Sequence, residues 1–329
     1  MNNKQIPSHF TKISGSCGPN VVILGGVHGD EKIGLEILKR FYDLFELDIP
    51  IDTPEVRSYR RNISGSLYLG LGNPKAVQQD TRGVGDRDLN RCFIPKHLQN
   101  KDRYNHYDYQ RARELTPLLS RTDYLFDLHS TSNPSQPFIC FREDSEQHRR
   151  LYSLAPIENV LTDPSDPPVL SRPFDSSVLG TTDYFVDEFG GSSWADEEGG
   201  TAICYESGHF QDMSKVQEVF ESLLRMLTEV GSINKRFLAD KKVDPNLSYS
   251  QPSEVYRLIL CKLAESVNFV YEDGMDQNWK QVEKGQTIGR YTDLNKEVTA
   301  PTDGTLLFPR NQSKIRYEGD SLFYLAERI

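Results

Sequence analysis

The chain has 329 residues, of which 37% are hydrophobic and 26% are charged, and its formal net charge is −10. This acidic balance argues against a nucleic-acid partner, because such binding relies on basic side chains that displace counterions from phosphates. No apolar run approaches the roughly 18 residues of a membrane span and the N-terminus lacks the apolar core of a signal peptide, so we expect a globular protein of the cytoplasm with no membrane partner.

Strand-like apolar runs alternate with helical patterns through the first three quarters of the chain. The strands are expected at 21–26, 66–71, 124–128 and 201–205, and the helices at 33–45, 109–119 and 216–230. Such alternation predicts an α/β fold in which helices cover both faces of a sheet.

The segment 163–200 differs from its surroundings, since it carries four prolines, several serines and an acidic run. Loops of this length in a compact enzyme usually have a function or are disordered. We therefore expect a long loop that passes over the functional site.

The last quarter of the chain has a different pattern, and we expect three parts: a catalytic domain at 1–240, a linker at 241–253 and a C-terminal β domain at 254–329. The linker is polar and contains prolines, and short β runs separated by turns follow it. The stretch 298–306 is similar to the turn of lipoyl domains, but Lys296 lies too near that turn for a carrier lysine. The β runs are expected at 255–263, 286–291, 297–300, 305–308 and 321–325.

The five cysteines are scattered and include no C-x-x-C pair. This pattern predicts reduced thiols, mostly buried, and it argues against a disulfide framework or a thiolate zinc site. Any metal ligands are therefore sought among histidines and carboxylates.

His28 and Glu31 directly follow the strand 21–26, and His129 ends the strand 124–128. Residues three apart at the start of a helix project to the same side, so His28 and Glu31 can share one ion. Catalytic zinc is typically held by three such side chains, and open parallel sheets bind ligands at the carboxyl ends of their strands. The alternative is a pair of hydrogen-bonded structural histidines, because an isolated H-x-x-E is a weak motif.

Further side chains match the needs of amide hydrolysis beside a metal ion. Glu206 ends the strand 201–205 and is the candidate general base, while Arg82 can stabilise charge on the attacked carbonyl oxygen. The pair Asn90 and Arg91 can clamp a substrate carboxylate. The alternative for both arginines is a solvated, salt-bridging face.

These motifs, taken together, resemble those of the aspartoacylase and succinylglutamate desuccinylase family over the whole chain. The resemblance implies a zinc-carboxypeptidase-like mixed sheet flanked by helices, with a small C-terminal all-β domain that covers or supports the site. It implies one Zn²⁺ per chain, held by His28, Glu31 and His129, and hydrolysis of the amide that joins a short acyl group to an amino acid. The matching motifs, in chain order, are Gly26-Val-His-Gly-Asp-Glu31, Asn73-Pro-Lys-Ala76, Arg82, Asp88-Leu-Asn-Arg-Cys-Phe93, Asp127-Leu-His129 and Tyr205-Glu-Ser-Gly208.

The resemblance also assigns roles to the remaining residues: Arg82 polarises the carbonyl, Asn90 and Arg91 bind the amino-acid carboxylate, and Glu206 is the general base. Aspartoacylases bind the acidic side chain of acetylaspartate with a tyrosine and an arginine, and Leu179-Gly-Thr-Thr-Asp183 occupies that place here. An aspartate would repel an anionic side chain, so Asp183 is expected to bind a different substrate.

One further residue is expected to reach the pocket from the C-terminal domain. Aspartoacylases use a tyrosine there, and Tyr317 is the match in this sequence. The alternative for Tyr317 is packing within a β-strand.

The sequence thus predicts a zinc-dependent deacylase that acts on a small N-acyl amino acid or a related amide. Two alternatives stay open: a metallocarboxypeptidase with the same ligands, and a non-catalytic metal-binding protein. The second is disfavoured because Glu206 and Arg82 are both present. Manganese or cobalt would also suit these ligands, and a homo-oligomer is compatible with the sequence.

Overall fold

The structure is a computed structural model of the chain, and it describes most but not all residues. The described parts are 6, 9–47, 57–85, 88–94, 98–99, 105–162, 181–191, 199–244, 246–249, 254–315 and 318–329. For 57–60 the description concerns the backbone alone.

The strands of the described parts run through the whole chain. They are β1 (Thr11–Gly25), β2 (Arg57–Leu71), β3 (Tyr124–Thr131), β4 (Phe138–Phe141), β5 (Asn159–Thr162), β6 (Thr201–His209), β7 (Glu254–Leu263), β8 (Phe269–Tyr271), β9 (Lys280–Val282), β10 (Thr287–Tyr291), β11 (Lys296–Thr299), β12 (Gly304–Leu307) and β13 (Ser321–Arg328).

The helices lie mainly before residue 241. They are α1 (Lys32–Leu44), α2 (Pro74–Gln79), α3 (Tyr107–Leu119), α4 (Glu146–Tyr152), α5 (Thr182–Phe189), α6 (Val216–Glu229) and α7 (Lys235–Asp240). Within the described parts, no helix has the length and apolar character needed to cross a bilayer.

A ten-stranded mixed sheet forms the centre of the molecule, in the order β2-β1-β3-β6-β4-β5-β7-β13-β12-β9. The first four strands of this order are parallel, and β4 pairs antiparallel with β6. Parallel strands need their crossovers on the sheet faces, so both faces of β1, β3 and β6 are buried. This agrees with the continuous apolar run Val21–Gly25 at the end of β1, all of it buried.

The two faces of the sheet have separate helical covers. Because successive side chains of a strand point to opposite faces, Val21 and Ile23 pack with α1 and α6, while Val22 and Leu24 pack with α3 and α5. The predicted α/β sheet with helices on both faces is therefore confirmed.

The C-terminal segment extends the same sheet. Strand β7 pairs parallel with β5, and β13, β12 and β9 add antiparallel strands beyond it. Strands β8, β10 and β11 form a separate three-stranded antiparallel sheet with its own apolar core. The boundaries 1–240, 241–253 and 254–329 stay a prediction.

The expected loop at 163–200 is wrong for part of its length, because 182–189 forms helix α5. Its buried side chains Phe185 and Val186 pack on the sheet, and this apolar contact stabilises a helix too short to be stable alone. Residues 163–180 and 192–198 lie outside the described parts.

One buried histidine makes the stability of the fold depend on pH. His148 in α4 stacks on Phe141 at 4.7 Å between ring centroids, and its Nε2 donates to the carbonyl oxygen of Ala202 at 3.1 Å. Its Nδ1 lies 2.8 Å from the Ser145 hydroxyl, and the nearest carboxylate oxygen, on Asp187, is 4.0 Å from Nε2. Burial lowers the pKa of His148 to about 4.

This lowered pKa predicts acid sensitivity. The unfolded chain, with an ordinary histidine pKa near 6.5, takes up the proton first as pH falls, so the contribution of His148 is complete above pH 6.5 and is lost towards pH 4. Wild type should lose roughly 2 to 3 kcal/mol more free energy of unfolding than His148→Gln between about pH 7.5 and about pH 4.5, measured by urea titration. Equal losses in the two proteins would contradict the assignment.

Candidate metal centre and pocket

Three potential metal ligands meet at the carboxyl ends of β1 and β3. His28 and Glu31 lie in the turn between β1 and α1, and His129 lies in β3, which pairs with β1. Nδ1 of His28 is 2.8 Å from Oε1 of Glu31, and Nδ1 of His129 is 3.1 Å from Oε2 of the same carboxylate. One donor atom from each residue lies within 4.8 Å of the others, and all three residues are buried. The group could therefore hold a single ion.

The turn that carries two of these ligands requires glycine at its centre. A Cβ on Gly29 would lie 2.1 Å from a backbone atom of Ala76, and the N–H of Gly29 donates to the carbonyl oxygen of Thr81 at 2.9 Å. Close backbone approach of this kind excludes any side chain. The short helix α2 thus supports the His28 turn from behind.

A carboxylate stands behind each histidine. Nε2 of His28 is 3.0 Å from Oδ1 of Asp88, and Nε2 of His129 is 3.1 Å from Oδ2 of Asp127. With a metal ion bound at Nδ1, these contacts would hold the N–H of each ring on Nε2. Carboxylate, histidine and metal in this order are typical of zinc proteins.

The charges around the ligands favour a bound cation. Burial opposes ionisation of Glu31, yet the adjacent imidazoles of His28 and His129 hold its pKa below the ordinary range. Burial likewise opposes ionisation of Asp88, but Arg82 and His28 hold its pKa well below normal. Two imidazoles and one ionised glutamate form a donor set that suits zinc in a catalytic site.

Glu206 lies beside these ligands on the next strand. Strand β6 pairs with β3 so that Glu206 is the register partner of His129. The side chain has a buried oxygen, Oε2, without a hydrogen-bond partner in the described structure. Burial raises the pKa of Glu206 to about 7, against the attraction of His129. A carboxylate with this pKa can both accept and return a proton near neutral pH.

The arginine expected at the carbonyl is held by two acidic groups. Nε of Arg82 donates to Oδ2 of Asp88 at 3.0 Å, and Nη1 lies 3.7 Å from Oε1 of Glu31. Burial disfavours its charge, but Asp88 and Glu31 raise the pKa of Arg82 above normal. The guanidinium is thus charged and fixed beside the ligand cluster.

Asn90 and Arg91 lie on a short 3-10 turn at Leu89–Arg91. Asp88 caps this turn by accepting the N–H of Asn90 at 3.0 Å, which couples it to His28 and Arg82. The Asn90 amide nitrogen lies 3.2 Å from Nε2 of His129, and Nη1 of Arg91 donates to the Asn90 carbonyl oxygen at 2.7 Å.

A cavity of about 200 Å³ opens at this cluster. Its lining includes eight of the nine predicted site residues: His28, Glu31, Arg82, Asn90, Arg91, His129, Asp183 and Glu206. Tyr317, the ninth, lies outside the described residues.

The C-terminal segment covers one side of the cavity. The Asn133 amide donates to the carbonyl oxygens of Asp276 and Pro309 at 2.9 and 2.7 Å, and Nζ of Lys314 lies 3.4 Å from Oδ2 of Asp30. Arg310 lines the cavity from this segment.

Sequence reasoning assigned no role to Asp88, Asp127, Arg310 or Lys314. Asp127 had a detectable signal, because residues two apart on a strand share one face, and Asp127 precedes His129 by two. No pattern in the sequence pointed to Arg310 or Lys314.

Comparison with known proteins relates both sequence and fold to one family. The family model described as "Succinylglutamate desuccinylase/Aspartoacylase catalytic domain" matches residues 17–227. A stretch of 115 residues is 35% identical to "Probable aspartoacylase" of Acaryochloris marina (strain MBIC 11017) and covers 34% of this chain and 35% of that protein. A stretch of 137 residues is 32% identical to "N-acyl-aromatic-L-amino acid amidohydrolase (carboxylate-forming)" of Xenopus tropicalis and covers 39% of this chain and 40% of that protein. The match therefore spans well under half of each relative.

Solved structures resemble the whole chain. The succinylglutamate desuccinylase/aspartoacylase of Rhodobacter sphaeroides has a TM-score of 0.63 at 19% identity, covering 97% of this chain and 88% of that chain. Murine aminoacylase 3 has a TM-score of 0.61 at 16% identity, covering 95% of this chain and 97% of that chain. The predicted fold class, a carboxypeptidase-like mixed sheet flanked by helices with a small all-β part at the C-terminus, is confirmed at the level of the fold.

The carboxylate behind His129 should control metal affinity. Asp127→Asn removes the charge that orients Nε2, and loss of such a partner typically weakens metal binding by about 10- to 100-fold. Competition with a chromophoric zinc chelator measures this affinity without any assay of activity.

The matched control is Asp123→Asn, at the other end of β3. The Asp123 carboxylate is buried and accepts the N–H of Asn20 at 2.7 Å, so its loss affects folding but not the ligands. Equal zinc affinities in the two variants would overturn the role of Asp127.

Proposed function

The chain belongs to the succinylglutamate desuccinylase/aspartoacylase family, whose catalytic-domain model matches residues 17–227, and on this basis we propose that it hydrolyses the amide bond of an N-acyl amino acid. The observation that carries the proposal is the convergence of His28, Glu31, His129, Arg82 and Glu206 on one small cavity. The first three side chains together suit a metal ion, while Arg82 and Glu206 each have a separate task in amide hydrolysis.

We propose that His28, Glu31 and His129 hold one zinc ion. The two Nδ1 atoms and the Glu31 carboxylate converge, and Asp88 and Asp127 orient the rings from behind. When bound, zinc acidifies water and polarises a carbonyl group, which is the chemistry that amide hydrolysis needs. The ionised Glu31 carboxylate between the two imidazoles suits such a cation.

Glu206 is the proposed general base and acid. Its unpartnered, buried oxygen is available to take a proton from the attacking water and later to give it to the departing amine. The pKa of about 7 suits both transfers, because a base that is too weak or too strong fails in one direction.

Arg82 is the proposed polariser of the scissile carbonyl. Asp88 holds its guanidinium in place before substrate binds, so little reorganisation is needed as charge grows on the carbonyl oxygen. Asn90 and Arg91 are the proposed clamp for the amino-acid carboxylate, and the capped turn fixes their position relative to His129.

The size of the cavity favours a small acylated amino acid over a peptide. A volume of about 200 Å³ is below the range usual for drug-sized ligands. The bonds from Asn133 to the C-terminal segment hold that segment over one side of the cavity, which leaves less room for a peptide. The size and cover of the cavity support a deacylase over a metallocarboxypeptidase.

The role of Glu206 in proton transfer should be separable from the binding of substrate and zinc. Glu206→Gln keeps the shape of the side chain but cannot accept a proton, so kcat should fall by about 10²- to 10⁴-fold while zinc content and KM change little. The activity assay uses N-acetyl amino acids, and metal content is measured by atomic absorption.

Glu229→Gln, at the exposed end of α6, is the matched control and should retain full activity. Normal turnover by Glu206→Gln would refute the assigned mechanism.

The competing peptidase activity has its own test. Because the cavity is small and covered, kcat/KM for an N-acetyl amino acid should exceed that for a blocked tripeptide with the same C-terminal residue by more than about tenfold. A preference for the tripeptide would favour the metallocarboxypeptidase instead.

A further inference from the structure

Three arginines cluster at one end of the cavity. Arg82, Arg91 and Arg310 all line it, and they lie close enough that Arg82 and Arg91, together with burial, lower the pKa of Arg310. Arg310 is anchored by Nε to the Ser321 carbonyl oxygen at 2.7 Å. This arginine end suits an anionic group of a ligand.

The floor at the other end comes from one row of side chains across four strands. Asp127 in β3 is in register with Cys204 in β6, and Cys204 is in register with Cys140 in β4. Cys140 is in turn in register with Leu161 in β5. Partners in register share one sheet face, which here is the face that α5 covers. Three of the four side chains, Cys204, Cys140 and Leu161, line the cavity, and none of the four is basic.

Asp183 stands over this floor. It lies in the first turn of α5, is only 7% exposed, and lines the cavity. Within the described residues it forms no salt bridge; the carboxylates of Asp127 and Asp187 repel it, and the His129 imidazole attracts it. Thr181 provides a hydroxyl beside it.

A buried carboxylate among other carboxylates is costly unless a cation accompanies it. Burial raises the pKa of Asp183, and Asp127 adds to this effect. Since Asp183 faces the cavity, a bound ligand can supply the missing cation. An anionic ligand group would add repulsion in a partly desolvated space.

Resting on the proposed function, we propose that the substrate is an N-acyl amino acid with a positively charged side chain, whose ammonium group binds Asp183. Its carboxylate binds at the arginine end, so the substrate matches the polarity of the cavity. The floor lies one pleat repeat, roughly 7 Å, below the row of His129 and Glu206, because a strand rises about 3.3 Å per residue. A side chain of the length of ornithine or lysine spans this distance.

The test compares Nα-acetyl derivatives of ornithine, norleucine and glutamate, which differ mainly in side-chain charge. In wild type, kcat/KM for the ornithine derivative should exceed that for the glutamate derivative by about 100-fold, since a desolvated pair is gained in one and repulsion in the other. In Asp183→Asn, kcat/KM for the ornithine derivative should fall by about tenfold or more, chiefly through KM, while the norleucine derivative changes less than about threefold.

Glu188→Gln, exposed on the same helix, is the matched control and should keep the wild-type preference. Calorimetric binding of free ornithine and free glutamate to the wild-type zinc enzyme gives a second readout that needs no variant, and ornithine should bind more tightly.

The outcomes separate the two proposals. Hydrolysis of none of the three derivatives would refute the deacylase function, while the binding preference would still decide the role of Asp183. Hydrolysis with a preference for the glutamate derivative, or with selectivity unchanged in a folded Asp183→Asn protein, would overturn the cationic substrate alone. Faster cleavage of N-glycyl-norleucine than of N-acetylornithine would also overturn it, because the cation would then belong to the acyl group.

Discussion

The parallel pairing of β1, β3 and β6 is the constraint on which the site depends. Parallel strands in register end at the same edge of a sheet, so the residues that follow or close them lie side by side. His28, Glu31, His129 and Glu206 come from three separate stretches of the chain, and this shared edge brings them together. Any shift of register by one residue would turn His129 or Glu206 to the opposite face.

Around this edge most charged side chains contact one another, whereas some carboxylate oxygens have no hydrogen-bond partner in the described structure. Asp88 contacts His28, Arg82 and the Asn90 turn at once, so one half-buried carboxylate fixes a candidate metal ligand, an arginine and a short turn relative to one another. Glu206, by contrast, keeps an oxygen without a hydrogen bond in the described structure. A buried polar atom without a partner lowers the stability of the fold, and such groups are usual at functional sites where a reactant must bind.

The C-terminal strands contribute more to the site than a cover. Because β7 pairs with β5, the sheet is continuous, and the segment that follows β12 reaches the cavity with Arg310 and Lys314. Lys314 also contacts Asp30 in the turn that holds two ligands. The added strands thus contribute Arg310 and Lys314 to the cavity lining, which also receives Arg82 and Arg91 from before β3 and Asp183 from α5.

The sequence by itself identified the candidate ligands and the candidate base, because each directly follows or closes an apolar run that the sequence predicts to be a buried strand. His28, His129 and Glu206 were found in this way, and Asp127 could have been, from its spacing to His129. The short strands β4 and β5, of four residues each, have too few positions to show periodicity. Their place in the sheet, and hence the floor beneath Asp183, was decided only by tertiary structure. The same holds for Arg310, since contacts between distant segments leave no pattern in the local sequence.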